Sequence, residues 1–468
     1  MKHSVLIDGS AMSLSAIAAA VLFAVTAVPA QAADADQLGS QLTPVGAEPG
    51  PNKDGSIPKW EGKDVPQAGW AQGKYRGDYW AHKGEKPLFS IDASNVDKYA
   101  DKLTPGQVEL IKKTKGYKMD VYPTHRNCGF PEWVNENTKK NVGFAKLADN
   151  GYDIKDAYLP GVPFPIPENG AQAIWNHKLR YTGIGWEIPQ VRSLASPRKG
   201  SNEWIDLRAY QIFYYPWGGK GSKKISELPP QDSMTFFKYE SPAALAGQAA
   251  ILNTAYNADS ESFYYFPGQR RVRRLPSYSY DAPSIGWESE YPVDIISGYY
   301  GRIDRFDWKL VGKKEIYIPY NDFAAYDFRK EADEAFKPDM PEKNGHRYEL
   351  HRVWVVEGTV KNGVRHSAPK RRFYLDEDTW SLVVADDYDA KGNLWMVRET
   401  EMIPAWDANN ACMFSAFVNY NLVTGRYITD QQPVGSHKDV KFFAEPGNNR
   451  ALKPDFYTPE NLRSLSER

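Results

Sequence analysis

The spacing of apolar residues changes twice along the chain. Residues 33–90 are rich in Gly, Pro, Asp and Trp and keep no period, which predicts an extended, turn-filled arm held by its aromatics. A helical period follows. Thr104 as N-cap, Pro105 in the first turn and Gln107 closing a capping box predict a helix with Val108 and Ile111 on one face and Gly116 as its stop. A second helix is expected from Thr138 to Asn150, with Val142 and Ala145 on one face and Gly151 ending it. Pro160, Pro163, Pro165 and Pro167 forbid regular structure and lead into a third helix near Ala171 to Tyr181.

From about residue 203 the period becomes two. Ile205, Leu207, Ala209, Phe213 and Tyr215 fall on one face, with Gln211 as the exception. Met234–Tyr239, Ser262–Phe266 and Arg270–Leu275 continue the pattern. Between Tyr348 and Glu401 the turns Lys361-Asn362-Gly363, Asp376-Glu377-Asp378 and Asp389-Ala390-Lys391-Gly392 punctuate a four-strand meander. The expected fold is therefore mainly β (α+β): a large antiparallel sheet covered by helices from the N-terminal half. The expected organisation is a signal peptide over 1–32, an arm and helical covering region over 33–200, and a sheet region over 201–468 that continues it as one domain.

The first segment has the layout of an export signal. Lys2 is the positive start, Leu14 to Val28 the apolar core, and Ala30-Gln31-Ala32 the small-residue cleavage site, so the mature chain is expected to begin at Ala33. No cysteine follows the cut to carry a lipid anchor. These features place the protein in the periplasm. Beyond this segment no apolar run is long enough for a spanning helix. The polar stretch Leu462 to Arg468 and the helical segments argue against an outer-membrane barrel.

The formal net charge is -1, which removes the electrostatic basis for general nucleic-acid binding. Cys128 and Cys412 are the only cysteines, and in an oxidising compartment they either pair or remain two separate buried thiols. The histidines keep no metal-binding spacing, and no nucleotide or cofactor motif is present, so no metal and no cofactor is expected. Carboxylate pairs such as Glu288 with Glu290 and Asp386 with Asp387 could serve glycoside hydrolysis, or could be solvated turns and strand edges. His177 could act as a general base, or be a helix-surface residue satisfied by hydrogen bonding.

Two features carry more information. Arg270, Arg271, Arg273 and Arg274 follow Tyr264-Tyr265-Phe266-Pro267-Gly268-Gln269 on a strand whose side chains alternate. They either receive an anionic head or acidic partner at a cavity rim, or form a salt-bridged sheet edge. The aromatics on the alternating strands, Phe213, Tyr215 and Phe236 among them, can line a pocket for an acyl chain or fill a core.

Several segments resemble a known family. They are Leu42–Ala47, Asp54–Trp60, Lys86–Phe89, Val121–Thr124, Pro163–Pro167, Ile174-Trp175-Asn176-His177 with Arg180-Tyr181, Asp304–Trp308 and Tyr374–Trp380. Together they resemble the DUF1329 family of bacterial envelope proteins. The arginine strand and its leading aromatics are similar to a motif of LolA/LolB-like lipoprotein-sorting proteins. That second resemblance implies an unclosed, strongly curved antiparallel half-barrel with helices over its open side. It also implies a non-enzymatic carrier for a lipid, an acyl chain or another hydrophobic molecule, working with an RND-type exporter or an outer-membrane protein. Neither group supplies catalytic residues. The rival readings are a glycan- or ester-active hydrolase and a ligand-free transporter scaffold.

Overall fold

The computed structural model describes residues 35–276 and 278–466; the expected signal peptide and its cleavage site lie outside them. The described residues form one compact unit. Its centre is a sheet of sixteen strands among the described residues. The first eight are β1 (Phe89–Asp92), β2 (Lys118–Val121), β3 (Gly185–Ala195), β4 (Ile205–Tyr214), β5 (Gln231–Ser241), β6 (Ala249–Ala255), β7 (Glu261–Phe266) and β8 (Arg271–Arg274). The rest are β9 (Phe306–Pro319), β10 (Tyr348–Val360), β11 (Lys370–Asp376), β12 (Leu382–Tyr388), β13 (Leu394–Thr400), β14 (Phe417–Asn421), β15 (Tyr427–Gln432) and β16 (Lys441–Phe443). Their spatial order is β1-β2-β10-β11-β12-β13-β14-β15-β3-β4-β5-β6-β7-β8, with β9 also on β10 and β16 on β3. Pairing is antiparallel except for one parallel bridge, Tyr348 with Val121. The end strands β1 and β8 do not pair, so the sheet is not closed.

The expected meander is present as β10 to β13. The sheet is wider than the two-residue period suggested, because β3 precedes residue 203 and β14 to β16 follow residue 401. Helix α1 (Pro105–Lys113) has the expected reciprocal cap between Thr104 and Gln107. Helix α2 runs over Glu132–Asn141 rather than from Thr138 to Asn150. Asn141 ends it by committing its side chain elsewhere: Oδ1 accepts from the Tyr158 amide, and Nδ2 donates to the carbonyls of Tyr158 and Val162. Helix α3 occupies Gly170–Lys178, capped by Asn169, and helix α4 occupies Pro459–Ser466.

The two faces of the sheet have different covers. Register pairs Phe213 with Thr235 and Ile212 with Phe236, so Phe213, Thr235 and Phe237 share one face. This inner face also carries Val191, Ala209, Leu252, Tyr264 and Phe417, all buried. It is covered by α3 and by a long irregular segment between β8 and β9. The outer face, with Ile212, Tyr214, Met234 and Phe236, packs under the C-terminal residues Phe456, Tyr457 and Leu462. Helix α1 lies further along the same outer face, beside Asp386 and Val397.

Burial on the outer face leaves a pH signature. Asp386 accepts from Thr104 Oγ1, the Gly106 amide and the Tyr374 hydroxyl, yet loss of solvent pushes its carboxyl up to about 7. The folded chain therefore holds a proton there that the unfolded chain has lost above pH ~4. Unfolding releases that proton, so stability falls as pH rises from about 4 to 7, by an amount on the order of a few kcal/mol. Glu401, also pushed up to about 7 by burial, acts in the same direction. The melting temperature is expected to drop by several degrees between pH 5 and pH 8, and Asp386→Asn should flatten that slope. A thermal scan across this range checks both.

Candidate functional site

The inner face is roofed by residues 278–302, here termed the strap. The strap has no strand and only one short helical turn, Val293–Ile295. Tyr280, Glu288, Ser289 and Ser297 hold positive φ, a conformation that costs a non-glycine residue about 1–2 kcal/mol. Its backbone hydrogen bonds close on itself, as from Ser284 to Tyr291, Val293 to Ala282 and Asp294 to Tyr280. It is therefore seated on the sheet by side chains rather than by a ladder.

Those side chains divide into apolar contacts and ionic tethers. Trp287, Tyr291, Val293, Ile296 and Tyr300 pack into the inner-face core. At the strap's outer side, Glu288 pairs with Arg198 at 2.9 Å and with Arg426 at 3.1 Å. Deeper, Asp294 pairs with Arg371 and, at 2.9 Å, with His366. Burial opposes charge on Asp294, but Arg371 and His366 outweigh it and hold the carboxyl well below the usual carboxylate range.

Three small cavities lie between the strap and the sheet. The first, about 50 Å³, is lined by Val191, Ala209, Phe237 and Leu252 from the sheet and Trp287 and Ile296 from the strap. Gln211 borders it with a carbonyl oxygen that has no protein partner. Asp430 borders it too, bonded to Ser193 and Tyr291, and burial raises its carboxyl. The second cavity, about 10 Å³, shares Leu252 and Tyr278 with the first. The third, about 40 Å³, shares Tyr300 with the second and meets Phe213, Tyr215 and Arg180. Each holds no more than a few water molecules while the strap is seated.

The family model described as "Protein of unknown function (DUF1329)" matches residues 90–463. An uncharacterized Pseudomonas aeruginosa protein, PA3922, is 37% identical over 469 residues, covering 98% of both chains. The chain belongs to the DUF1329 family. Among solved structures, a DUF1329 family protein from Desulfovibrio piger is 13% identical, with a TM-score of 0.39 over 59% of this chain and 90% of that one. The LolA superfamily protein NE2245 from Nitrosomonas europaea is 11% identical, with a TM-score of 0.35 over 62% of this chain and 98% of that one.

The residues singled out in the sequence are dispersed in this DUF1329 chain. Phe213 stacks on Trp186 at 4.1 Å, and Tyr215 accepts from the Trp186 indole, both on the inner side. Phe236 lies on the outer face instead, edge-on to Phe456. Strict alternation puts it there, one residue out of step with Phe237. Arg271, Arg273 and Arg274 stand exposed on β8, the free edge of the sheet, while Arg270 caps the preceding turn at positive φ. Arg274 pairs with Glu261 at 3.0 Å. Arg271 and Arg273 share the face of Phe266 and Tyr264, with Arg273 over the Phe266 ring. None of the four lines a cavity beneath the strap. Cys128 and Cys412 are joined by a disulfide.

His177 is buried in α3 rather than on a helix surface, and its Nδ1 accepts from the Leu382 amide. Burial, with Arg180 beside it, keeps it neutral. Neither carboxylate pair converges in a cleft. Asp386 and Asp387 point to opposite faces, the latter toward Arg371 and Arg398, and Glu288 and Glu290 both face Arg426.

Three groupings that sequence spacing did not reveal have ligand atoms within 4.8 Å of one another: His82 with Glu85 and His125, Asp322 with His346 and Glu401, and His351 with Asp376 and Asp378. Each is completed by a residue more than 20 positions away, His125, Glu401 or His351, which is why spacing alone does not betray them. Each group already has an ion pair: Arg347 sits 2.7 Å from Glu85, His346 lies 2.8 Å from Asp322, and Arg126 lies 2.7 Å from Asp378. No helix among the described residues is long and apolar enough to cross a membrane.

Proposed function

We propose that this DUF1329 protein is a periplasmic carrier or accessory protein that shelters a hydrophobic ligand, such as a lipid or acyl chain, between the inner face and the strap. The observation that carries this reading is the strap itself. An irregular, self-bonded segment covers the apolar face of an unclosed sheet. Long loops of this kind inside compact domains are commonly functional. Raising the strap would expose aromatic and aliphatic surface, and each buried ligand methylene would contribute roughly 0.8 kcal/mol. Such affinity requires no catalytic motif. Arg271 and Arg273, exposed on the inner side of the free edge, are proposed to meet an acidic group of the ligand or of a partner during entry. An RND-type exporter or outer-membrane protein is the proposed partner class.

Native mass spectrometry of protein purified from the envelope, paired with lipid extraction, tests the carrier reading. A bound species carrying an acyl chain is the expected result. A ligand-free mass under gentle conditions, with no uptake of added amphiphile, would sink it. A strap variant adds a second check. Asp294→Asn frees the strap from Arg371, which then shares Asp387 with Arg398, so it should loosen the strap at some cost in stability. Faster ligand uptake and faster backbone exchange over residues 278–302 are expected.

One observation favours the hydrolase alternative. Glu401 and His346 border a cavity of about 240 Å³ and lie near Asp322. A carboxylic acid poised near 7 beside an imidazole has the elements of acid–base chemistry. Turnover of ester or glycan substrates that disappears in Glu401→Gln would establish that reading over the carrier.

A further inference from the structure

Arg180 is the unexplained charge of the inner face. It follows α3, is only 8% exposed, and borders the third cavity. Its Nη1 donates to the His177 carbonyl at 2.6 Å and lies 3.3 Å from His177 Nδ1. The guanidinium also sits 4.8 Å from the centre of the Phe414 ring. Its Nε is buried with no partner. No acid of the described residues pairs with it, and burial with little compensation draws it down to about 10, still charged at neutral pH. The other buried arginines differ. Arg76, Arg126 and Arg371 each meet two carboxylates, and Arg398 meets Asp387. Burying an unpaired guanidinium costs several kcal/mol, so a counter-charge is the missing element.

The surroundings define what fits. Lys178 is neutralised by Asp232 at 2.8 Å and also donates to the Gly301 carbonyl. The cavity wall therefore carries one net positive charge, matching a single negative one. The Tyr215 hydroxyl accepts from Trp186 and lies beside Thr182, and burial keeps it protonated, so it retains a proton that a bound head can accept. A volume of about 40 Å³ suits a head as small as a carboxylate. The third cavity shares Tyr300 with the second, and the second shares Leu252 and Tyr278 with the first, so the three follow one another along the same face.

We propose that Arg180, assisted by Tyr215, receives the carboxylate head of a chain-bearing monoanion whose tail lies beneath the strap. The inference rests on the carrier reading and adds the class of ligand. Competition against N-phenyl-1-naphthylamine bound to the full mature chain tests it, using laurate, dodecanol and dodecyl phosphate as competitors. Laurate is expected to displace the dye at a concentration about tenfold or more below that for dodecanol, the range of a charge-assisted hydrogen bond. Arg180→Gln should abolish that preference by weakening laurate alone, with dodecanol affinity reporting an intact fold. Arg180→Lys should retain part of it, which keeps the test informative if the glutamine variant does not fold. Equal displacement by laurate and dodecanol in the wild type, or equal weakening of both in Arg180→Gln, would overturn the assignment while leaving the carrier reading standing. Tighter binding of dodecyl phosphate than laurate would overturn the carboxylate class. Failure of the dye and all three competitors to bind would overturn the carrier reading together with it.

Discussion

Replacing Cys128 and Cys412 together by alanine is expected to destabilise the protein by about 5 kcal/mol, through the conformational freedom returned to the unfolded chain. The two residues are 284 positions apart. A cross-link closing so long a loop restricts the unfolded ensemble strongly. Both cysteines are buried in a cluster with Tyr320, Met402 and Phe414, so the bond also joins the segment before α2 to the hairpin after β13. Calorimetry should show the melting temperature of the variant lowered by about 5–10 °C. A shift under about 2 °C would mean that the unfolded chain is little restrained by the bond. The same loss on growth without periplasmic oxidation would accord with an exported protein.

Arg126→Ala is expected to cost about 3–5 kcal/mol, the range for removing one partner from a buried ion pair. Arg126 donates from Nε and Nη2 to the two oxygens of Asp378 at 2.9 and 2.7 Å, and from Nη2 to Glu377 at 3.2 Å. It also donates to the carbonyls of Glu48, Gly50 and Pro58, which pins the N-terminal arm to the turn after β11. Removing it leaves Asp378 without its cation in a buried site. Arg352 and Lys313 still meet Glu377, which bounds the loss. Urea unfolding checks the value, and a change below 1 kcal/mol would show that the turn relaxes toward solvent.

The legible parts of the fold are those set by local chemistry. The cap of α1 depends on Thr104 and Gln107 alone, and the meander turns on residues such as Asn362 and Gly363. Two of the strands that escaped, β3 and β9, are bulged. In β3 the register slips between Ile188 and Val191, around Pro189, and the alternation breaks with it. In β9 it slips between Leu310 and Gly312. The strap has no period to read, and its position follows from contacts with strands far away in sequence.

The candidate site shows the same division. Alternation alone puts Phe213 and Tyr215 on one face, which is the inner side. The same alternation puts Phe236 on the opposite face, paired with Ile212 rather than with Phe213. Arg180 stood out only as part of a family-like segment. Its lack of an acidic partner is a tertiary fact, fixed by what α3, β4 and the strap leave around it. The four arginines near β8 are conspicuous by density, which measures composition rather than burial.

Hydrogen exchange over residues 278–302, followed in the mature protein with and without a bound amphiphile, tests the central claim most directly. The account predicts faster exchange in the strap than in β5 and β10, and a further rise when ligand displaces the strap from the inner face. Equal protection of strap and strands, unchanged by added amphiphile, would contradict it.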